Sequence, residues 1–411
     1  MGIARIRSSA GAVVTVLLVL VLAACGGSVG SAEKALPGPD NTPAGEPIRI
    51  GVDLDTTGPA ASYNSQVRQG IDLAIEVVNR RGGVLERPLE LVAENSQSDP
   101  AKAPATYSAM IDKGVVAAIG YVTVGIPPVK KLIQDEKLLT IAAASTTASL
   151  VETAPSDYLY SILPTAEAYA KVFCGAFAKT GATRVALFHD DAPGVVLLVD
   201  AYRELFRSCL PDGFVAEESA PLDATDFTAP VARIADADPD AVLTVSVGGT
   251  FQAQSESAFA QTMPDVPRYA IGAFDGQPDA WKVARKGALD GLVVVHPVTT
   301  TNPRTAQLQE TFRLVEGEDF AIAQTHVLGY DSVMLIVEAI TRAGTADDPD
   351  AINRAFQQIT GYAPHLGQAD FTLSFRGDKH VGADSACGLV LAQFGPENTL
   401  TGEWATYQEA C

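Results

Sequence analysis

Cysteine, histidine and aromatic residues are scarce in this chain, and basic residues are outnumbered. Its 411 residues hold 5 Cys, 5 His, 4 Met and 2 Trp, with aromatics at 7%. No CxxC occurs, and the histidines (His189, His296, His326, His365 and His380) show no ligand spacing, which argues against a metal centre. Against 49 Asp and Glu stand only 29 Lys and Arg, a formal charge of −20. A surface that acidic repels phosphate backbones, so nucleic acid is not an expected partner. The nearest approach to a hydrolase elbow, Val245-Ser246-Val247-Gly248, lacks the first glycine of G-x-S-x-G and has no triad partners at recognisable spacing. Neither an enzyme nor a cofactor is expected.

What the chain does hold is apolar, at 47%, over a length sufficient for two domains with cores of their own. Its N-terminus reads as an export leader. Arg5 and Arg7 form a positive region, 12–22 form a short apolar stretch, and Leu22-Ala23-Ala24-Cys25 closes it with small residues before a cysteine. That stretch is short for a membrane span. One reading is a plain secretory signal; the other follows from the resemblance of Leu22–Cys25 to the bacterial lipobox, which implies a lipidated Cys25 as the mature N-terminus. Residues 26–46 lack an apolar period and read as a flexible tether reaching ~25 Å as a coil. The expected location is outside the cytoplasmic membrane, held to it by lipid alone.

Export bears on the remaining cysteines. Cys174, Cys209, Cys387 and Cys411 are even in number, suit an oxidising compartment and allow three pairings. Cys174 with Cys209 and Cys387 with Cys411 is the favoured set, because each pair lies within a segment expected to fold into one lobe. Buried free thiols are the alternative.

After the tether, apolar periods of two and 3.6 alternate. Strands are expected over 48–52, 89–92, 115–120, 138–142 and 158–162, with a helix carrying Val67, Ile71, Ala74, Ile75 and Val78 at helical spacing and another over 127–136. A second series places strands at 184–189, 214–218, 241–247, 268–272 and 291–296. Residues 304–360 read as mainly helical, and 371–375 with 388–394 as a closing strand pair around Gly377. The expected fold is α/β, with two doubly wound parallel-sheet lobes and a cleft between them.

Residues 57–100 carry Thr57-Gly58-Pro59, Gly70, Leu73-Ala74, Asn79, Gly82-Gly83-Val84 and Asp99-Pro100 in order. Phe188-His189-Asp190-Asp191, Pro239-Asp240-Ala241 and Gly329-Tyr330-Asp331 follow. This series resembles the branched-chain amino acid type substrate-binding proteins of ABC importers, which have the type I periplasmic-binding fold. The resemblance implies three chain crossings between lobes, near Pro164, Pro297 and Leu366. Lobe one would then be 47–164 plus 298–366, and lobe two 165–297 plus 367–411. It also implies a monomer that captures a small polar ligand and delivers it to an ABC permease. A ligand-sensing receptor of the same fold, coupled to a signalling partner, is the alternative.

Ligands of open parallel sheets bind where strands end and helices begin. The stretch IAAASTTASL, residues 141–150, sits at such an end. By resemblance Ala144 offers a carbonyl to an ammonium and Thr146 a hydroxyl and N–H to a carboxylate, with Ser145 beside them; the small side chains would let the main chain approach the ligand. The competing reading is a packed strand-to-helix junction with a hydroxyl cap. Tyr63 falls where the family has a cleft aromatic, and Asp275 where an acidic residue meets the ammonium. Thr123 and Gly125 stand in the loop after the third strand, where Val124 and Ile126 replace the family's hydroxyls. Pro193, Thr250 and Gln324 stand where aromatics are usual, which points to a more polar ligand, an amino acid or an amide.

Overall fold

The computed structural model describes residues 36–57, 61–121, 123–272 and 274–411. The expected leader, Cys25 and the first part of the tether lie outside the described residues.

The central strands form where apolar residues run unbroken, because they are covered on both faces. β1 (Ile48–Asp53), β2 (Leu89–Glu94), β3 (Val115–Gly120), β4 (Leu139–Ala142) and β5 (Leu159–Ser161) form a parallel sheet in the order β2-β1-β3-β4-β5. Helices α1 (Ala61–Arg80), α2 (Ala103–Asp112), α3 (Ile126–Asp135) and α4 (Ala148–Glu152) alternate with them. After α5 (Ala166–Thr180), a second series runs β6 (Val185–Asp190), α6 (Pro193–Leu205), β7 (Ala216–Ala220), α7 (Thr228–Asp236), β8 (Ala241–Val245), α8 (Gly249–Thr262), β9 (Arg268–Ile271), α9 (Pro278–Trp281) and β10 (Val293–Val295). Helices α10 (Pro303–Glu316), α11 (Gln324–Ala343) and α12 (Pro349–Phe356) return to the first sheet. Finally β11 (Leu391–Phe394) and β12 (Leu400–Glu403) add an antiparallel edge to the second, ordered β12-β11-β10-β9-β8-β6-β7.

Alternating strand residues divide each lobe's core between two faces. Ile48, Ile50 and Val52 pack with α1, α11 and α12, whereas Ala118 and Ala142 pack with α2 and α3. In the second lobe Val293 and Val295 join the α5–α6 side and Val294 the α8–α9 side. Helices α1 and α11 meet at two glycines. A Cβ on Gly70 would lie 1.9 Å from the His326 carbonyl oxygen, and one on Gly329 2.3 Å from that of Val67. Main chains touch there because neither position has a side chain.

Two expectations change. The segment 371–375 does not pair with 388–394: β11 pairs with β12 instead, while Leu373 bridges Tyr362 and Ala383. Nor does 367–386 sit wholly with the second lobe. Phe371, Leu373 and Phe375 join the first lobe's core, with Phe375 centred 4.5 Å from Phe356 and 5.8 Å from Tyr160. Val381 bridges Ser161 of β5, and Gly382 N–H donates to the Ser161 carbonyl at 2.8 Å. An unpaired edge and an aromatic cluster draw this segment across. The disulfides are Cys174–Cys209 and Cys387–Cys411, as favoured from their positions.

Candidate functional site

The C-terminal ends of the two sheets face one another, and buried polar side chains collect between them. Asp275 is central. It lies on a 3-10 turn (Phe274–Gly276) after β9 and is 3% exposed. His296, just past β10, stands 2.9 Å by Nδ1 from Asp275 Oδ2, and its own N–H donates to the Val390 carbonyl at 2.7 Å. Asp275 Oδ1 is buried without a hydrogen-bond partner. A buried carboxylate oxygen left unpaired costs stability and can take a ligand's donor; Asp53 Oδ2, beneath the turn at Gly125, is a second such oxygen.

Both lobes build the surroundings. From the first turn of α1, the Tyr63 hydroxyl donates to the Val247 carbonyl at 2.6 Å, reaching the loop after β8. Asp190, at the end of β6, takes the Val247 N–H at 2.9 Å and the Ser246 hydroxyl at 2.7 Å, so that the peptides on both sides of Val247 are held. One turn further along α1, Gln66 Nε2 donates to the Gly276 carbonyl at 2.9 Å while its Oε1 accepts from the Thr325 hydroxyl. Gly276 is pressed against α11's start: a Cβ there would lie 2.4 Å from Ala323 Cβ. Tyr169 of α5 is buried with its hydroxyl close to Gln324, the first residue of α11. Burial pushes the hydroxyls of Tyr63, Tyr121 and Tyr169 above the ordinary tyrosine range, and the Asp275 charge adds to the effect at all three. The cluster therefore sets three tyrosines around Asp275, with Asp190 close by.

Of the residues expected from the sequence, Tyr63, Asp275 and Gln324 meet in this cluster. Thr123 and Gly125 form a 3-10 turn before α3. Gly125 is buried, with Ala103 Cβ and Asp53 Oδ2 3.2 and 3.5 Å from where its own Cβ would stand. Ala144 and Thr146 are half-buried, and the Thr146 carbonyl accepts from Ala166 N–H at 2.8 Å, tying the stretch to the start of α5. The Ser145 hydroxyl accepts the Thr147 N–H at 3.3 Å in a local serine turn, while Thr147, the residue before α4, makes no side-chain cap of that helix. Thr250 is exposed on α8. Tyr121, Tyr169, His296 and Gln66 were not anticipated. Only His296 carried a sequence signal, a histidine closing an apolar strand.

Two cavities lie elsewhere. One of about 420 Å3 lies under the first crossing, lined by Pro164, Thr165, Lys171, Val381 and Glu409. Another of about 290 Å3 lies at the far end of the first sheet, between Val115, Lys137, Asp347 and Ile352. None of the side chains lining either one has a buried polar atom left unpaired, as Asp275 does.

No helix among the described residues is long and apolar enough to cross a membrane. A Leu/Ile/Val-binding protein homologue of Brucella melitensis is 22% identical over 316 residues, 75% of this chain and 82% of that one. A type 1 periplasmic binding protein of Bordetella pertussis superposes with a TM-score of 0.74 at 21% identity, covering 87% of this chain and 100% of that one. The branched-chain amino acid transporter substrate-binding protein LivJ of Streptococcus pneumoniae, solved in complex with isoleucine, gives 0.72 at 18% identity, over 87% and 99%. The periplasmic binding protein family model matches residues 47–388, and with two parallel-sheet lobes closing on one buried cluster, the chain belongs to that family.

Proposed function

We propose that this protein is the extracytoplasmic solute-binding component of an ABC importer, anchored by a lipid on Cys25, that captures a small polar ligand between its lobes and delivers it to a membrane permease. The observation that carries the reading is Asp275 Oδ1, buried and unpaired at the meeting point of both lobes. A ligand that supplies the missing donor binds the closed arrangement better than an open one, and that difference in affinity is the signal a permease reads. Tyr63, Gln324, Thr123, Gly125, Ala144, Ser145, Thr146 and Thr250 complete the proposed wall, with the lobes hinged near Pro164, Pro297 and Leu366. The relatives are binding proteins, and no bond is made or broken in this scheme.

Thermal unfolding of the full chain in detergent, against a panel of amino acids, amides, amines and small acids, tests the reading. At least one compound raises the melting temperature, as binding to the native state alone requires, and Asp275→Asn or Thr146→Val diminishes the rise. A flat response across the panel would sink it.

A further inference from the structure

The cleft's charge and its supply of donors are unequal, and the imbalance bears on what it holds. Asp275 has one basic partner among the described residues, His296, and that ring already faces Oδ2. Asp190 adds a second buried carboxylate close by, its oxygens taken by Ser246, Val247 and Ala192. A carboxylate entering this space would meet two fixed negative charges.

Anions usually find compensation at the N–H groups of helix N-termini. Here three of the helix starts are depleted of them, while α4 keeps its own beside Thr146. Helix α3 begins Ile126-Pro127-Pro128, α6 begins with Pro193 and α9 with Pro278, and each proline removes a donor from the first turn. The start of α8 keeps its N–H groups but is covered: the Gln277 amide oxygen lies 2.1 Å from where a Gly249 Cβ would be, and Tyr63 sits on the Val247 carbonyl. Apolar groups flank the entrance. Val124 Cγ1 is 3.9 Å from a Cβ position on Gly194 of the opposite lobe, and Val247 is 44% exposed.

Resting on the solute-binding reading above, we infer that the cleft selects an ammonium-bearing ligand with an apolar flank and no free carboxylate, an amine or amino amide seated on Asp275 Oδ1. The ammonium meets Oδ1 while His296 holds the other oxygen, and the tyrosines surround the cation, an arrangement that favours positive charge. An amide in place of the carboxylate offers neutral groups to a space short of anion donors.

Four compounds on one skeleton separate the terms: leucine, leucinamide, 3-methylbutylamine and 4-methylpentanoate, titrated calorimetrically into the full chain in detergent. Leucinamide and 3-methylbutylamine bind at least tenfold more tightly than leucine, and 4-methylpentanoate gives no heat. Asp275→Asn abolishes binding of both amines, and His296→Gln weakens it while the melting temperature of the free protein holds, which shows that the fold is intact. Leucine binding as tightly as leucinamide, or 4-methylpentanoate binding at all, overturns the inference and leaves solute capture standing. Silence from all four overturns the inference too, and the broader panel then decides the solute-binding reading separately.

Discussion

His326 should make this protein acid-sensitive by a calculable amount. The ring is 3% exposed in the first turn of α11, packed edge-on against Phe312 and Phe320 with centroids 5.4 and 5.2 Å away. Its Nδ1 accepts the Ala323 N–H at 2.8 Å, and its Nε2 faces Gln69 Oε1 at 3.1 Å, so the folded state needs a neutral ring protonated on Nε2. Burial pushes its pKa from the ordinary 6.5 down to about 4. The unfolded chain therefore binds the proton first as pH falls. Stability from this residue is whole above about pH 6.5 and is lost progressively toward pH 4. At ~1.36 kcal/mol per unit, the loss by about pH 4.5 is roughly 2.5 kcal/mol. Urea unfolding at about pH 7.5 and pH 4.5 measures it, with His326→Gln as the comparison, since glutamine at the same position can still accept the Ala323 N–H. The wild-type protein should lose roughly 2.5 kcal/mol more than the variant over that interval. Equal losses would refute the assignment of the proton to this ring.

Tyr63→Phe removes a bond between lobes while leaving the exposed Val247 carbonyl to water, so closure should weaken by ~0.5–1.5 kcal/mol with the melting temperature nearly unchanged. Small-angle scattering should show a larger open fraction, and an unaltered profile would contradict the role of this bond. Gly70→Ala drives a methyl to 1.9 Å from the His326 carbonyl and should cost ~1–3 kcal/mol in urea titrations, despite alanine's better helix propensity. Wild-type stability in that variant would mean α1 and α11 are not in main-chain contact. In the second lobe, Arg268→Met strands the fully buried Glu256 without its 3.1 Å partner and should cost ~3–5 kcal/mol. Adding Glu256→Gln should recover most of that; failure to recover would place the cost elsewhere.

Most of the sheet architecture was visible in the sequence because parallel strands buried on both faces leave continuous apolar runs. β1, β3, β6 and β10 each fall within a residue or two of where Ile48–Val52, Val115–Gly120, Arg184–His189 and Gly291–His296 suggest. The C-terminal segment was harder for a physical reason. Phe371, Leu373 and Phe375 alternate as a strand would, yet Phe375 is buried against Tyr160 and Phe356, residues far away in the chain whose stacking no local pattern encodes. β12 was missed for the opposite reason. Its residues Leu400–Glu403 are mostly exposed, so no apolar period announces them, and pairing with β11 alone makes the strand.

The cleft divides along similar lines. Tyr63, Asp275 and Gln324 were found through resemblance, whereas Tyr169 hides in the apolar stripe of α5, where Val172, Phe173 and Ala176 have the same burial and only the hydroxyl's place near Gln324 and Asp275 sets it apart. The small residues of IAAASTTASL are the instructive case. Their size was read as room for a ligand, because a hydroxyl cap accounts for the threonines but not for three alanines. Packing now accounts for two of the three: Ala142 is buried in the core with α2 and α3, and Ala143 in the core with α1 and α11. The Ser145 hydroxyl is spent on the Thr147 N–H. Ala144 and Thr146, the two positions given a ligand role from the sequence, are half-buried, as are Ala148 and Leu150. If Ala144→Val leaves ligand binding unchanged while Asp275→Asn abolishes it, recognition lies with the buried carboxylate and the strand end serves only to join the lobes. A large loss from Ala144→Val with an unchanged melting temperature would restore the strand end as a binding wall.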